Sequence, residues 1–211
     1  MIKVNIFDKE YEFPTSWDDI SMKQYCKLFY NLPKGDSEAS EDEKTAERIE
    51  TQATIISRLL GEKDDFALTL PIDIFLKLQE SSKFIYALND FLESKTFYIN
   101  IDGRKYWIPN PEEMSLRQYI DSDMIIKEEG NENQFIELLA CLLLPMNDVG
   151  KYEYDGKYQD LIPRIESMRA SDGLPFIYTF FKKKELSKKL TEASSKVEEA
   201  ADQLLHSIQG S

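Results

Sequence analysis

Asn5 to Pro14 reads NIFDKEYEFP, and Asn100 to Pro109 reads NIDGRKYWIP. Laid over one another, these stretches share Asn5 with Asn100, Ile6 with Ile101, Tyr11 with Tyr106 and Pro14 with Pro109. After one residue fewer in the connection, DDISMKQY (Asp18 to Tyr25) lies over EEMSLRQY (Glu112 to Tyr119), adding Ser21 with Ser115, Gln24 with Gln118 and Tyr25 with Tyr119. Agreement this dense between two segments of one chain is the self-similarity that an internal duplication leaves.

Each copy has a readable local structure. Ile2, Val4 and Ile6 alternate with polar residues, as do Phe97, Ile99 and Ile101, which is the period of a half-buried strand. Asp102-Gly103 is a favoured two-residue hairpin turn, because both positions need positive φ, and Tyr106 and Ile108 resume the alternation on the return strand. In the first copy Asp8-Lys9 is expected to turn less ideally, before Tyr11 and Phe13. Pro14 and Pro109 close the hairpins, since proline cannot donate to a continuing ladder. Ser21 and Ser115, each followed three residues later by glutamine, then predict capping boxes. Ile20 with Tyr25 and Met114 with Tyr119 predict hydrophobic staples over those boxes. A ligand site built from the recurring Ser, Gln and Tyr is the competing reading, and the cap geometry accounts for all three without it.

Outside the repeated segments the pattern is helical. Pro33 to Lys44 is polar and acidic and reads as a loop. Ile49, Ala53, Ile56, Leu59 and Leu60 mark one face of a helix over residues 46–60, stopped by Gly61. A second helix is expected from about Ile72 to Leu92 behind Pro71, and an almost wholly apolar, hence buried, one from Asn133 to Leu144 before Pro145. A tyrosine-rich connection (KYEYDGKY, Lys151 to Tyr158) leads to Leu161–Arg169 and a helix setting out at Leu174-Pro175. Leu186, Leu190, Ala193, Val197, Ala200 and Leu204 follow at 4-3-4-3-4 spacing, the alternation of coiled-coil seam positions. That C-terminal amphipathic helix either packs on its own domain or zips with another chain.

The expected fold class is therefore α+β and predominantly helical: a hairpin-plus-helices repeat over residues 1–95, a second over 96–185, and the amphipathic helix over 186–211.

Composition narrows the functional classes. The 211 residues carry 39 acidic against 26 basic side chains, a net charge of -13, which opposes binding to a phosphate backbone. Two cysteines, Cys26 and Cys141, and the single histidine His206 supply neither a disulfide framework nor a Cys/His metal site. The most apolar run, Leu138 to Met146, is too short to cross a bilayer, and MIKVNIFDKE does not read as a signal peptide. No nucleic-acid or membrane partner is expected.

Three further stretches carry a resemblance: WDDISMKQYCKLF (Trp17 to Phe29), ISRLLGEKDDF (Ile56 to Phe66) and LPIDIFLKLQESSKFI (Leu70 to Ile85). In order and spacing they resemble small morphogenesis proteins of tailed bacteriophages, of the tail-assembly-chaperone or small baseplate-hub type. The resemblance covers roughly residues 2–92 and concerns helix-packing positions, so it carries over no functional residue. It implies a non-enzymatic protein working by contacts with other phage tail or virion proteins. One role is an assembly factor acting in the host cytoplasm; the alternative is a permanent baseplate, connector or neck subunit of the virion.

Chemistry has few candidates. Cys26 and Cys141 fall on apolar helical faces where cysteine serves as a small core residue, and adjacent carboxylates such as Asp18/Asp19 and Glu112/Glu113 sit at helix entrances where they complement the dipole. No catalytic, cofactor or metal-binding residue is expected. The candidate contact residues are Leu190, Val197 and Leu204 on the terminal stripe, through which the chain could also bind itself, and the basic run Lys182, Lys183 and Lys184, suited to an acidic surface such as the chain's own 36–43 loop.

Overall fold

A computed structural model describes residues 1–32, 40–86, 98–146 and 154–185. The fold is α+β, with helices outweighing two small antiparallel sheets. Strands β1 (Ile2–Ile6) and β2 (Lys9–Phe13) pair with Asn5 opposite Glu10, and β3 (Tyr98–Ile101) and β4 (Arg104–Trp107) pair with Asn100 opposite Lys105. The two registers coincide at the positions that the sequence aligns. The first turn, however, is made by Phe7 and Asp8, at φ 48 and 65, and not by Asp8-Lys9; Lys9 already pairs with Ile6. The same two turn positions in the second hairpin are Asp102 and Gly103. Sheet pairing thus holds a phenylalanine in a left-handed conformation that strains an L side chain.

Each hairpin runs through a 3-10 turn (Trp17–Asp19 and Pro111–Glu113) into a serine-capped helix. Ser21 caps α1 (Met22–Phe29) with the full reciprocal box: its oxygen takes the Gln24 N–H, and Gln24 Oε1 takes the Ser21 N–H at 2.9 Å. Ser115 caps α4 (Leu116–Lys127) through the Gln118 N–H alone. The expected second box is half made, because the Gln118 side chain turns inward to donate to Cys141 O (2.9 Å). The staple differs likewise: Ile20 and Tyr25 are buried in the first unit, whereas Tyr119 is exposed in the second.

Helix α2 (Glu41–Leu59) begins earlier than its apolar face, because Ser40 and Glu43 form a capping box and Glu41, Asp42 and Glu43 favour the positive end of the dipole. The expected loop over residues 33–44 therefore gives way to helix at its end, and residues 33–39 lie outside the described residues. Gly61, at φ +74, ends α2 in a Schellman arrangement, with Glu62 N–H donating to Ser57 O and Gly61 N–H to Arg58 O. Helix α3 (Ile72–Ser81) passes into a 3-10 turn, Lys83–Tyr86, and residues 87–92 of the expected helix lie outside the described residues. Ser81 and Ser82 donate their hydroxyls back to Lys77 O and Gln79 O, competition that weakens a helix end.

Helix α5 (Gln134–Leu142) is buried almost throughout, as its sequence demands. It ends two residues before the expected Leu144, since a residue preceding proline avoids the helical region. Leu144–Pro145 instead forms β5, pairing with Tyr106 and Trp107, so the second sheet has three strands. Helix α6 (Ile162–Ser167) follows, and α7 spans 170–185. It opens four residues before Leu174 because Ala170 N–H donates to Ile20 O while Met168 O accepts from Met22 N–H, a two-bond bridge that locks its entrance onto α1. One apolar core takes residues from both halves, including Phe13, Ile20, Met22 and Ile56 from the first and Ile136, Leu139, Ile165 and Phe180 from the second. No helix among the described residues is long and apolar enough to cross a membrane.

Candidate functional site

Helices α1 and α4 open with equivalent sequences yet present opposite faces. On α1, Met22 is 0% and Cys26 4% exposed. They lie beneath α5 and α7: the Tyr25 ring meets Phe135 edge-on at 5.8 Å, and Met22 packs so tightly on Gly173 that a Cβ there would lie 2.7 Å from its sulfur. On α4 the corresponding residues are Leu116, 75% exposed, and Ile120, 47% exposed. Met124, a further turn along, is 66% exposed. Leu116, Ile120 and Met124 therefore form an i, i+4, i+8 ridge directed outward, with nothing among the described residues covering it. The face that α4 buries consists of Gln118, Ser122 and Ile125.

The rotation has a physical cause. Helix α5 ends at Leu142, and its last carbonyls have no intrahelical donor. Gln118 Nε2 supplies one to Cys141 O, while the buried Ser122 satisfies its hydroxyl within α4 by donating to Tyr119 O at 2.9 Å. With that polar edge turned inward, a helix of 100° per residue carries Leu116 and Ile120 to the outside.

The ridge is flanked by charges that are already ordered. On one side Arg117 lies across Gly156 and approaches Asp121 at 4.0 Å, and Asp121 accepts from Tyr154 Oη at 2.7 Å. On the other, Lys127 pairs with Asp123 at 2.6 Å, and this hydrogen bond is the main reason that the Asp123 carboxyl lies below its usual range. Lys184 of α7 sits 3.7 Å from Asp123 and 5.6 Å over the Tyr119 ring.

This places the basic run expected to meet an acidic surface. Lys183 donates to Asn110 Oδ1 at 2.7 Å, Lys184 serves Asp123, and Lys182 lies 6.0 Å over Tyr178 of its own helix. Lys183 and Lys184 fasten α7 to the second unit, and residues 36–39 of the acidic 36–43 loop lie outside the described residues. Leu190, Val197 and Leu204, with the rest of the expected terminal helix over 186–211, lie outside the described residues. The outward ridge was not anticipated, although the 4-residue spacing in LRQYIDSDM carries its signal.

The titratable groups of the interior are poor nucleophiles. Burial pushes the Cys26 thiol up to about 11, although the Ile136 and Phe135 N–H groups work against the rise. Burial likewise pushes the Cys141 thiol up to about 11. Tyr154, bonded between Cys141 and Asp121, is raised well above the tyrosine range, chiefly by burial. Beside it lies a cleft of about 280 Å³ lined by Arg104, Tyr106, Tyr158 and Arg164, the last paired with Asp102 at 2.7 Å. No three His, Cys, Asp or Glu side chains among the described residues are grouped to hold a metal ion.

No family model matches the chain, and neither a curated protein nor a solved structure matches it.

Proposed function

We propose that this is a non-enzymatic morphogenesis protein of a tailed bacteriophage, acting by contacts with other proteins in the manner of a tail-assembly chaperone in the host cytoplasm. The observation that carries the contact reading is the outward ridge Leu116, Ile120 and Met124: three large apolar side chains in line on a well-capped helix mark an interaction surface. The phage assignment draws on the resemblance over residues 2–92. Its motifs have structural employment throughout, with Arg58 and Gly61 ending helices and Ser57 taking the Ala67 N–H, as expected of a protein whose work is contact and not chemistry. The raised thiols of Cys26 and Cys141 support the non-enzymatic reading. The two hairpin-plus-helix units are taken to descend from an internal duplication, supported by their common register and serine caps. The terminal stripe Leu190, Val197 and Leu204 is taken as an amphipathic helix offering a second contact.

The reading is tested by assembling the encoding phage with L116E. Normal particle yield with this variant would sink it; loss of tails, with the purified variant still folded, is the expected result. Mass spectrometry of finished wild-type particles then separates an assembly factor, which is absent, from a baseplate, connector or neck subunit, which is present in fixed stoichiometry.

A further inference from the structure

We propose that the α4 ridge receives the same ridge of a second copy of this chain, the two helices crossing antiparallel about a two-fold axis beside Ile120. The inference rests on reading α4 as a contact face and names its occupant.

The face suits itself. Its apolar residues lie one turn either side of Ile120, so a two-fold axis there sets Leu116 against Met124 of the second copy and Ile120 against its own counterpart. Residues spaced by four form the ridges that interdigitate when two helices cross at about 50°. One flank adds charge complementarity. Arg117 precedes Asp121 on one side, and Asp123 precedes Lys127 on the other, so each flank carries one base and one acid a turn apart. With the axis at Ile120, an antiparallel copy sets Arg117 within reach of Asp121 of the second copy, whereas Asp123 and Lys127, both on the C-terminal side of the axis, are carried about 15 Å from one another across the pair and stay paired within their own helix. Closure also follows from the symmetry: an isologous contact satisfies both copies and leaves no open ridge for a third.

A covering of this kind exists within the chain already. The equivalent face of α1, at Met22 and Cys26, is buried under α5 and α7. The described elements that cover it are engaged there and leave the α4 ridge open. A ridge of three side chains is small beside the roughly 1,200–2,000 Å² of a stable interface. The pair is therefore transient, forming as concentration rises and leaving the face exchangeable with a tail partner.

Sedimentation equilibrium of the full chain across micromolar to millimolar concentration tests the inference. Wild type should pass reversibly from monomer to dimer and no further, and L116E should shift the midpoint at least tenfold upward with its melting temperature nearly unchanged, because the residue is exposed. L116E/M124K should regain the dimer, since the introduced carboxylate then faces the introduced ammonium of the second copy; the two substituted positions lie two turns apart within one helix, too far for the new charges to pair there. A monomer at all concentrations, a dimer indifferent to L116E, or a double variant as weak as the single one would overturn the proposal. So would a large fall in melting temperature in L116E, which would place a segment of the same chain, such as residues 186–211, over the ridge. Loss of tail assembly in L116E despite a purely monomeric wild type would overturn the second copy as occupant while leaving the contact reading intact.

Discussion

Replacing Arg58 by methionine should be among the most damaging single changes outside the apolar core. Its Nη1 donates to the carbonyls of Lys27 (2.8 Å), Leu28 (3.1 Å) and Tyr30 (2.6 Å), while Nε and Nη2 grip the two Asp64 oxygens at 2.8 and 2.7 Å. The carbonyl contacts end α1, whose last carbonyls lack intrahelical donors. One nitrogen with two hydrogens makes at most two good bonds at once, and a bond to a charged donor contributes about 1.5–3 kcal/mol, so the carbonyls account for about 3 kcal/mol. The Asp64 pair looks stronger on paper but contributes less. Its carboxylate is 58% exposed against 15% for the Arg58 side chain, and solvent screening holds such a pair to about 1 kcal/mol or less. Methionine matches arginine in helix propensity and keeps the stem, so the comparison isolates the guanidinium. In urea melts followed by circular dichroism, Arg58→Met should lose about 3 kcal/mol, Arg58→Lys about half that, and Asp64→Asn under about 1 kcal/mol. At roughly 2–4 °C per kcal/mol for a chain of this size, the methionine variant should melt about 6–12 °C lower. Asp64→Asn costing as much as Arg58→Met would refute the assignment of Arg58 as the C-terminal cap of α1.

The equivalent glutamines should behave unequally: Gln24→Ala, which trims an exposed half of a capping box, should cost about 0.5 kcal/mol, and Gln118→Ala, which leaves Cys141 O without its buried donor, about 2–3 kcal/mol, with equal losses in chemical denaturation counting against the inward turn of α4. Transplanting the second hairpin's turn into the first, as Phe7→Asp with Asp8→Gly, should stabilise the chain by about 1 kcal/mol, because relief of a left-handed phenylalanine outweighs the edge contact with Phe66; a lower melting temperature would contradict this. Stability should also fall as pH rises above 9. Cys26 and Cys141 keep their protons in the folded chain until about 11, whereas the unfolded thiols release theirs near 9.0, so alkali favours the unfolded state across that interval; denaturant midpoints that stay level from pH 8 to 10.5 would exclude the buried thiols.

Local signals in the sequence were enough to determine the two hairpins, the serine caps at Ser21 and Ser115, the stop at Gly61 and the burial of the 134–142 helix, because each rests on contacts within a few residues of chain or on unbroken hydrophobicity. The turn at Phe7-Asp8 was misplaced by one residue because strand register, and not turn propensity, chose it. By hydropathy the Leu116-Ile120-Met124 face of α4 outranks Gln118-Ser122-Ile125 for burial, yet the structure buries the second and exposes the first. The choice fell to the C-terminal end of α5, whose unsatisfied carbonyls lie 23 residues from Gln118 and require its amide. The strand at Leu144–Pro145 and the fastening of Lys183 and Lys184 to Asn110 and Asp123 are decisions of the same kind. Periodicity records that a helix has an apolar face; only tertiary packing decides whether that face is spent on the chain's own core, as on α1, or left open, as on α4.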